Sequence, residues 1–564
     1  MTKSKMKLRF LSIAAVLFCC ISCIDTDYRL GGSLVPVEQT YKIYVDNDIR
    51  IKDISLKMAD SLSGYSSTRI TIGAVRDAEY GLTTRSCAMT LVPLFKDSLV
   101  VGKNPIFKNF HFSAVKDTVS FCDEGQDRIM QRIRVYELEE ALDPMKDFDS
   151  NAKVKHSGNM ISRGSTVYYG GDSLSFDFSE SFAKKFLSLT NEDTKDFKKF
   201  LKKCPGIVIE TEEPAGLGGR IDMFKLQLGF DSQSYAFTGN LANLSYSAEF
   251  DGVRKDTTML FYYGADNFNN LDSLFQYSST GSFPQYCFNG TGHETRGREG
   301  QATDIMLLEG GGGIKPVIKG EYLKKLAEDV IIAKGGDPKK VIVNKAKLVM
   351  PFEFPDNYKE VDRLWPAILQ PTCRLKSGDT LATYMGLTDS SSSDENQGDI
   401  NRSLLMYEPD ITFHLQELLK IDVNAKDDFR TKNLLKGNYD IWFIIIANET
   451  TVTTNNTSSE MSDYYNMLAY QSYYNNMYGG YGGYGYGGYG GYGGYGGYGG
   501  YGYNNYYTYM MMAQYAAGNQ TTTSTSKLLD KDRFYKCRLN GPEFPDPARR
   551  PRMELTFSIP DKEK

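Results

Sequence analysis

Histidine and tryptophan are scarce in this 564-residue chain, with four and two copies. His111, His156, His293 and His414 lie far apart, and no H-E-x-x-H or comparable ligand pair occurs. A catalytic zinc site needs several protein ligands held close together. We therefore expect neither a metal nor another cofactor.

A basic surface is also missing. The chain has 65 Lys and Arg against 70 Asp and Glu, and residues 1–22 contain four of the basic residues, so the remainder has a net charge of −9. This balance argues against a nucleic-acid partner, because such partners are bound through clustered positive charge. No run of 18 apolar residues follows the N-terminus, so no transmembrane helix is expected there.

Cysteines in C-x-x-C spacing are likewise absent. Beyond residue 23 the chain has six scattered cysteines, which are Cys87, Cys122, Cys204, Cys287, Cys373 and Cys537. Fifteen disulfide pairings are conceivable, and the sequence leaves them open. We expect most of these residues to be buried as apolar side chains.

The N-terminus has the layout of a secretory signal: four basic residues, then the apolar stretch 10–21. It ends in Cys20-Ile21-Ser22-Cys23, which resembles a bacterial lipobox, although Cys20 stands where Leu is usual. We predict a signal peptide over 1–22 and lipidation of Cys23. An ordinary cleaved signal peptide and an N-terminal membrane anchor are the alternatives.

An acidic pair follows directly, in Ile24-Asp25-Thr26-Asp27. It resembles the surface-export signal of Bacteroidota lipoproteins, whereas a solvated tether is the plainer interpretation. We expect an outer-membrane, lipid-anchored protein, exposed on the surface rather than facing the periplasm. Acyl chains contribute about 0.8 kcal/mol for each buried CH₂ group, so lipidated Cys23 would hold the chain at the membrane.

Hydrophobic periodicity is mostly that of β-strands, as in 67–75 and 206–211. Apolar residues at helical spacing predict short helices over 181–189, 195–204 and 320–336. The fold class predicted is mainly β, with two β-sandwich, jelly-roll-like modules and short crossover helices.

An approximate internal repeat supports the two modules. The order of strand, spacer, strand running into a short helix, second apolar stretch, glycine turn and apolar strand recurs in 132–211 and 344–446, where Phe176-Asp177-Phe178 aligns with Phe413-His414-Leu415. Coincidence between common sandwich patterns is the alternative.

A Tyr/Gly-rich low-complexity segment interrupts the second module, as in YGGYGGYGGYGGYGGYG at 486–502. Glycine at this density favours disorder. The tyrosines could stack on partners or sugars, or the segment could be a neutral loop.

The predicted divisions are a signal peptide at 1–22, a lipidated tether at 23–40, a first module at 41–305, a second module at 306–462, the insertion at 463–526 and C-terminal strands completing the second module at 527–564.

Several stretches together resemble a Bacteroidota family of outer-membrane lipoproteins known only as a domain of unknown function. They are CIDTDYRLGGSLVP (23–36), GAVRDAEYGLTTRSCAMTL (73–91), RIRVYELEEAL (132–142), FKKFLKKCPGIVIETEE (197–213), GGRIDMFKLQL (218–228), LLEGGGGIKPVI (307–318), VNKAKLVM (343–350) and RMELTFSI (552–559). The resemblance spans most of the chain except the Tyr/Gly-rich insertion. It implies location and architecture, and it brings no catalytic residues.

Asp-Ser/Thr triplets ending in an aliphatic residue or Thr resemble the O-glycosylation signal of that group. Roughly two are expected by chance, and such dipeptides also mark turns that enter strands. The candidate O-glycosylation residues are Ser61, Ser98, Thr118, Ser173, Thr257, Ser273 and Thr380.

Two stretches carry weak chemical signals. Gly171-Asp172-Ser173-Leu174 matches the string of one esterase class, but no D-x-x-H follows to supply a base. The acidic stretch 389–399 could bind Ca²⁺ through oxygen ligands, although an exposed disordered loop is favoured.

We therefore expect a non-enzymatic binding or assembly lipoprotein that acts through β-sandwich faces and the Tyr/Gly-rich loop. Its partner would be an outer-membrane β-barrel or another surface component. A glycan-capturing surface lipoprotein is the alternative, and a Ser-dependent esterase is a remote one.

Overall fold

The computed structural model describes residues 41–95, 97–117, 121–122, 129–143, 148–231, 236–265, 267–268, 284–355, 364–376, 381–391, 396–453, 522–529 and 535–560. Within them the chain is mainly β, with several antiparallel sheets, which confirms the predicted fold class. The signal peptide, the tether and most of the Tyr/Gly-rich insertion lie outside the described residues.

Strands make up most of the regular structure in the described residues up to 301. They are β1 (Tyr41–Arg50), β2 (Ser55–Met58), β3 (Tyr65–Ser66), β4 (Arg69–Asp77), β5 (Gly81–Met89), β6 (Leu91–Pro93), β7 (Lys103–Val115), β8 (Phe121–Cys122), β9 (Gln131–Leu138), β10 (His156–Met160), β11 (Thr166–Tyr168), β12 (Ser173–Asp177), β13 (Ile207–Thr211), β14 (Gly218–Lys225), β15 (Leu228–Asp231), β16 (Ala236–Gly239), β17 (Leu241–Phe250), β18 (Val253–Tyr263), β19 (Cys287–His293) and β20 (Gly300–Gln301).

Strands continue to the C-terminal end of the described chain. They are β21 (Ile305–Glu309), β22 (Ile314–Ile318), β23 (Ile342–Pro351), β24 (Ile368–Leu375), β25 (Thr383–Gly386), β26 (Ile400–Asn401), β27 (Met406–Tyr407), β28 (Ile441–Thr453), β29 (Thr522–Leu529), β30 (Lys536–Asn540) and β31 (Arg552–Pro560).

Helices in the described part are short and amphipathic. They are α1 (Glu180–Leu187), α2 (Asn191–Thr194), α3 (Phe197–Lys203), α4 (Gly320–Ala333), α5 (Thr412–Leu419) and α6 (Phe429–Leu435). Helix α1 begins after Ser179, whose Oγ accepts the backbone N–H of Phe182. The helices predicted over 181–189, 195–204 and 320–336 are confirmed as α1, α3 and α4. No helix among the described residues is both long and apolar enough to cross a membrane.

Four larger sheets organise the strands. Their orders are β1-β31-β23-β27-β26, β10-β9-β13-β5-β4-β14-β8 with β3, β11 and β19 attached, β12-β7-β17-β18-β6, and β20-β2-β22-β28-β24-β25 with β29 on β28; β15-β16 and β21-β30 form separate pairs.

Two large hydrophobic cores lie between these layers. In one, Ile72 and Ile207 of the β4/β13 sheet pack with Phe112 of the β7 sheet, as in a β-sandwich. The other gathers residues of the two remaining large sheets with helices α4 and α5. Ile221 and Met223 of β14 enter this second core, so the two halves share apolar packing.

The first two strands do not follow the predicted division at residue 305. Strand β1 pairs with β31, and Tyr41 lies opposite Pro560. Strand β2 pairs with β22, and Ser55 lies opposite Val317. The first two strands of the predicted first module therefore belong to sheets of the second module, where their backbone N–H and C=O groups form hydrogen bonds with β31 and β22.

The proposed internal repeat also fails at one position. Phe176 lies in strand β12, whereas Phe413 lies in helix α5. The reason is periodicity: Leu415, Leu418 and Leu419 are buried at helical spacing, so 412–419 forms a helix.

Strands β28 and β29 form an antiparallel hairpin that flanks the Tyr/Gly-rich segment. The register runs from Ile446 opposite Leu529 to Thr453 opposite Thr522. Only the first part of β28 pairs with β22 and β24. The hairpin therefore extends past these neighbours, and the segment joins its two paired ends.

Five cysteines of the described residues are free thiols, and four of these are buried. Burial raises the pKa of Cys204, Cys373 and Cys537 to about 12. These thiols therefore stay protonated and behave as apolar core groups.

Candidate functional site

The residues singled out in the sequence do not form one site. Those outside the described residues are Cys23, Thr118, Ser273 and Thr380. Of the others, Ser98 and Ser173 are exposed, and Ser61 and Thr257 are partly buried. The Ser61 backbone N–H donates to Asp149 Oδ2 at 2.8 Å, so this triplet is also a structured turn.

His111 does not lie beside Ser173. Ser173 opens β12 opposite Val115, while Asp177, four residues further along, lies opposite His111. Four residues of strand correspond to about 13 Å. The His111 ring is thus beyond hydrogen-bond reach of the Ser173 hydroxyl, and the esterase string is not assembled with this histidine.

The outward surface of the sheet formed by β12, β7, β17 and β18 carries a group of exposed and partly exposed polar side chains. Successive residues of a strand point to opposite faces. The outward residues are Ser173, Ser175, Asp177, Asn109, His111, Ser113, Asn243, Ser245 and Thr258, and together they form the polar face.

Aromatic side chains cover the inner face of the same strands. Phe112 stacks on Phe176 at 4.7 Å between ring centroids, and Phe110 lies 4.6 Å from Phe178 and 5.0 Å from Phe261. All five rings are buried. These ring contacts stabilise the inner surface of the sheet that carries the polar face.

A histidine–carboxylate pair occupies the middle of the polar face. His111 Nδ1 lies 2.7 Å from Asp177 Oδ1, and Asn109 Nδ2 donates to the same oxygen at 3.2 Å. The side chains of His111 and Asp177 are 41% and 37% exposed. Asp177 therefore orients the imidazole while both groups stay open to solvent.

Cross-strand neighbours continue this arrangement across the sheet. Asn243 lies opposite His111, and Ser245 lies opposite Asn109. Ser245 Oγ is 3.4 Å from Thr258 Oγ1 on the next strand. The result is a row of amide, hydroxyl and imidazole groups, each able to donate or accept hydrogen bonds.

A second polar cluster is buried instead. Glu309 accepts hydrogen bonds from Arg298 at 2.8 Å and Thr83 at 3.3 Å, and it lies 3.2 Å from His293. Arg85 contacts the other ring nitrogen of this histidine at 3.3 Å. Burial opposes the ionisation of Glu309, but the hydrogen bond from His293 and the charge of Arg298 outweigh it and lower the pKa to about 2.

The glycine turn at 310–313 completes this cluster. Lys315 Nζ donates to the backbone oxygens of Glu309, Gly311 (3.1 Å) and Gly313 (3.4 Å). A Cβ on Gly313 would collide with the Glu309 side chain. The turn therefore packs closely against Glu309, and the cluster joins β5, β19, β21 and β22.

The acidic stretch at 389–399 does not place Asp389 in an exposed loop. Asp389 is buried, and its carboxylate accepts the backbone N–H groups of Phe413 (2.6 Å) and His414 (3.1 Å). It caps helix α5, since the first N–H groups of a helix have no partner within it. In the described part of the chain, no three His, Cys, Asp or Glu side chains gather as a metal site.

The sequence did contain a signal for the polar face. In 109–115 and in 173–178, polar and aromatic residues alternate with period two. Each stretch alone predicts a half-exposed strand, and their pairing appears only in the fold. No family model, curated protein or solved structure matches this chain.

Proposed function

We propose that this chain is a lipid-anchored protein of the bacterial outer membrane, exposed on the cell surface, that binds a partner without catalysing a reaction. The observation that supports this most is the polar face, which offers many hydrogen-bonding groups on one sheet. Ser173, the serine of the esterase string, lies about 13 Å along the strand from its His111–Asp177 pair. A sheet surface with many hydrogen-bonding groups suits contact with another macromolecule.

Lipid anchoring is tested at Cys23. Metabolic labelling with a palmitate analogue is expected to mark the native chain and to leave Cys23→Ala unmarked. Mass spectrometry of the N-terminal peptide then distinguishes an acylated Cys23 from an uncleaved signal. An unlabelled native chain would contradict the anchor.

Partner binding is tested in intact cells by site-specific photo-crosslinking. A photoreactive residue at Ser175, on the polar face, is expected to yield a discrete crosslinked species that mass spectrometry identifies. The same residue at Glu192, exposed on α2, is the matched control. Equal crosslinking from both positions, or none from Ser175, would count against this surface. An outer-membrane β-barrel is the partner we expect first.

Glycan capture is the second candidate, and Tyr169 favours it. This ring is 58% exposed and lies against Gly171, at the end of the polar face where β12 begins. Aromatic rings beside hydroxyl and amide groups suit the apolar and polar surfaces of a sugar. A glycan array probed with the native chain and with Tyr169→Ala and Asn243→Ala tests it, with Ser98→Ala as control. Binding that is absent throughout, or equal in all variants, would exclude this role.

A further inference from the structure

We infer that the outer face of the sheet β1-β31-β23, at the end where β1 begins, lies against the lipid surface of the membrane. This inference rests on the proposed lipid anchor at Cys23, since the anchor brings the chain to the membrane. Tyr41 is the first described residue, and the 17 residues between it and Cys23 can extend at most about 60 Å. The membrane is therefore within reach of the end of the sheet at which the chain enters the fold.

Exposed apolar side chains cover this end of the outer face. Tyr41, Ile43 and Val45 alternate along β1 and are 48%, 67% and 59% exposed. Ile342 of β23 is 45% exposed, and Ile342 and Ile43 both lie opposite Ser558 on the strand between them. The three β1 residues and Ile342 form the apolar patch. Contiguous exposed apolar side chains with polar neighbours mark a surface that a partner or a membrane covers.

The apolar patch lies on the face of the sheet and not along its edge. Tyr44 stacks on the buried Phe557 at 5.6 Å, so the residues on either side of Tyr44 in β1 point away from the core. The edge itself has four charged residues and a register shift between Asp46 and Ile49, and both features protect an edge strand from pairing with another chain. A lipid surface that covers the face is therefore favoured over a second strand at the edge.

Lysines flank the apolar patch on the β23 side. From the end of α4 to the fourth residue of β23, the chain has four lysines and one aspartate. The Lys340 side chain is 73% exposed, and Lys345 is exposed on the outer face. Two carboxylates lie nearby: Asp337 is 3.7 Å from Lys340, and Asp422 is 3.0 Å from Lys339. Four lysines against these two carboxylates favour a lipid surface with anionic phosphate groups, which attract basic residues beside apolar ones.

The other end of the same face is unsuited to lipid. There Lys347 forms ion pairs with Glu408 at 2.7 Å and with Glu554 at 3.1 Å, and Arg552 pairs with Glu554 at 3.0 Å. Removing such charged groups from water is costly. The contact is therefore confined to the end nearest the tether. Tyr41 at this end has a ring and a hydroxyl, which suit the level of the lipid headgroups.

Photo-crosslinking in isolated cell membranes tests the contact on the full chain. A photoreactive residue replaces Ile43, or it replaces Ile106 as the matched control, which is 55% exposed on β7 of another sheet. After irradiation and digestion with trypsin, mass spectrometry examines the peptides 43–50 and 104–108 for an added lipid mass. A lipid adduct is expected at position 43 and not at position 106.

The same digest reports whether Cys23 is acylated, so the anchor and the contact can fail separately. Acylated Cys23 with no adduct at position 43, or with equal adducts at both positions, would overturn the contact and leave the anchor standing. A crosslink from position 43 to residues 24–40 or to a second copy, in place of lipid, would also overturn the contact. Unacylated Cys23 with no adduct would contradict both.

Charge reversal tests the contribution of the lysines. With the photoreactive residue at position 43, Lys340→Glu combined with Lys345→Glu is expected to lower the lipid adduct at least about threefold, because anionic headgroups then repel this end. Lys198→Glu combined with Lys202→Glu, at exposed positions of α3, is the matched control and is expected to leave the adduct unchanged. Thermal midpoints equal to that of the parent chain show that both variants are folded. Equal adducts in the parent chain and in the Lys340/Lys345 variant would overturn the charge complementarity on which the contact depends.

Discussion

Lowering the pH from 7.5 to 5.0 is expected to destabilise the fold around His414 by about 2 kcal/mol. This side chain is buried on helix α5, and its Nε2 lies 3.2 Å from the backbone oxygen of Tyr439. Burial lowers the pKa of His414 from 6.5 to about 4, against the smaller opposite effect of that hydrogen bond.

The direction of this change in stability follows from where the unfolded and folded chains bind a proton at His414. Below pH 6.5 the unfolded chain takes up a proton at His414, whereas the folded chain does not until the pH nears 4. Stability therefore falls as the pH drops between these values. At pH 5.0 the ratio of the proton-binding polynomials of the unfolded and folded chains corresponds to about 2 kcal/mol. At pH 7.5 this ratio is close to one, so the free-energy difference is close to zero.

Urea unfolding at the two pH values measures this loss, with the fluorescence of Trp365 and Trp442 as the signal. His414→Gln removes the titrating group and is the matched variant. The buried His293 has its pKa lowered as well, chiefly by burial, but it titrates alike in both proteins and cancels in the comparison. If the native chain and the variant lose the same free energy on acidification, the reasoning is refuted.

Other substitutions test the packing. Glu309→Gln is expected to lower the free energy of unfolding by about 3 kcal/mol, because its partner Arg298, whose side chain is 11% exposed, loses its counter-charge; a urea midpoint equal to that of the native chain would contradict this. Phe110→Ala should cost about 3–5 kcal/mol in the same assay, while Phe354→Ala, at a half-exposed ring, should change stability by less than about 0.5 kcal/mol. Gly264→Ala should destabilise the fold by about 2 kcal/mol more than Gly252→Ala, and its thermal midpoint should be correspondingly lower. Both glycines have positive φ, but only at Gly264 would the added Cβ overlap a neighbouring backbone. Equal thermal midpoints for the two variants would argue against this overlap.

Local elements followed well from the sequence, because periodicity is a property of contiguous residues. The stretch 206–211 is a short run rich in β-branched residues, and it contains strand β13. The apolar spacing in 320–336 gave helix α4, which ends shortly before the Gly pair. Such patterns report which side of an element is buried, and they report nothing about its neighbour.

For that reason the sequence pattern does not predict which strands pair with each other. Alternation in β1 is the same whether it pairs with β2 or with β31, some 500 residues further along. For the same reason the sequence alone does not predict the polar face. The segments 109–115 and 173–178 each show alternation, but only their antiparallel register brings His111 beside Asp177. Asp389 was misjudged because its carboxylate caps a helix that begins more than 20 residues later.

The β28–β29 hairpin has a consequence for how this protein can vary. Since Thr453 and Thr522 are direct partners, a change in the number of Tyr-Gly-Gly units between them leaves every strand register intact. By loop-closure entropy alone, doubling the number of residues between two paired positions costs only about 0.6 kcal/mol. Gain or loss of repeat units by replication slippage is therefore nearly neutral for folding. Selection can then adjust the reach of the segment while the scaffold stays constant.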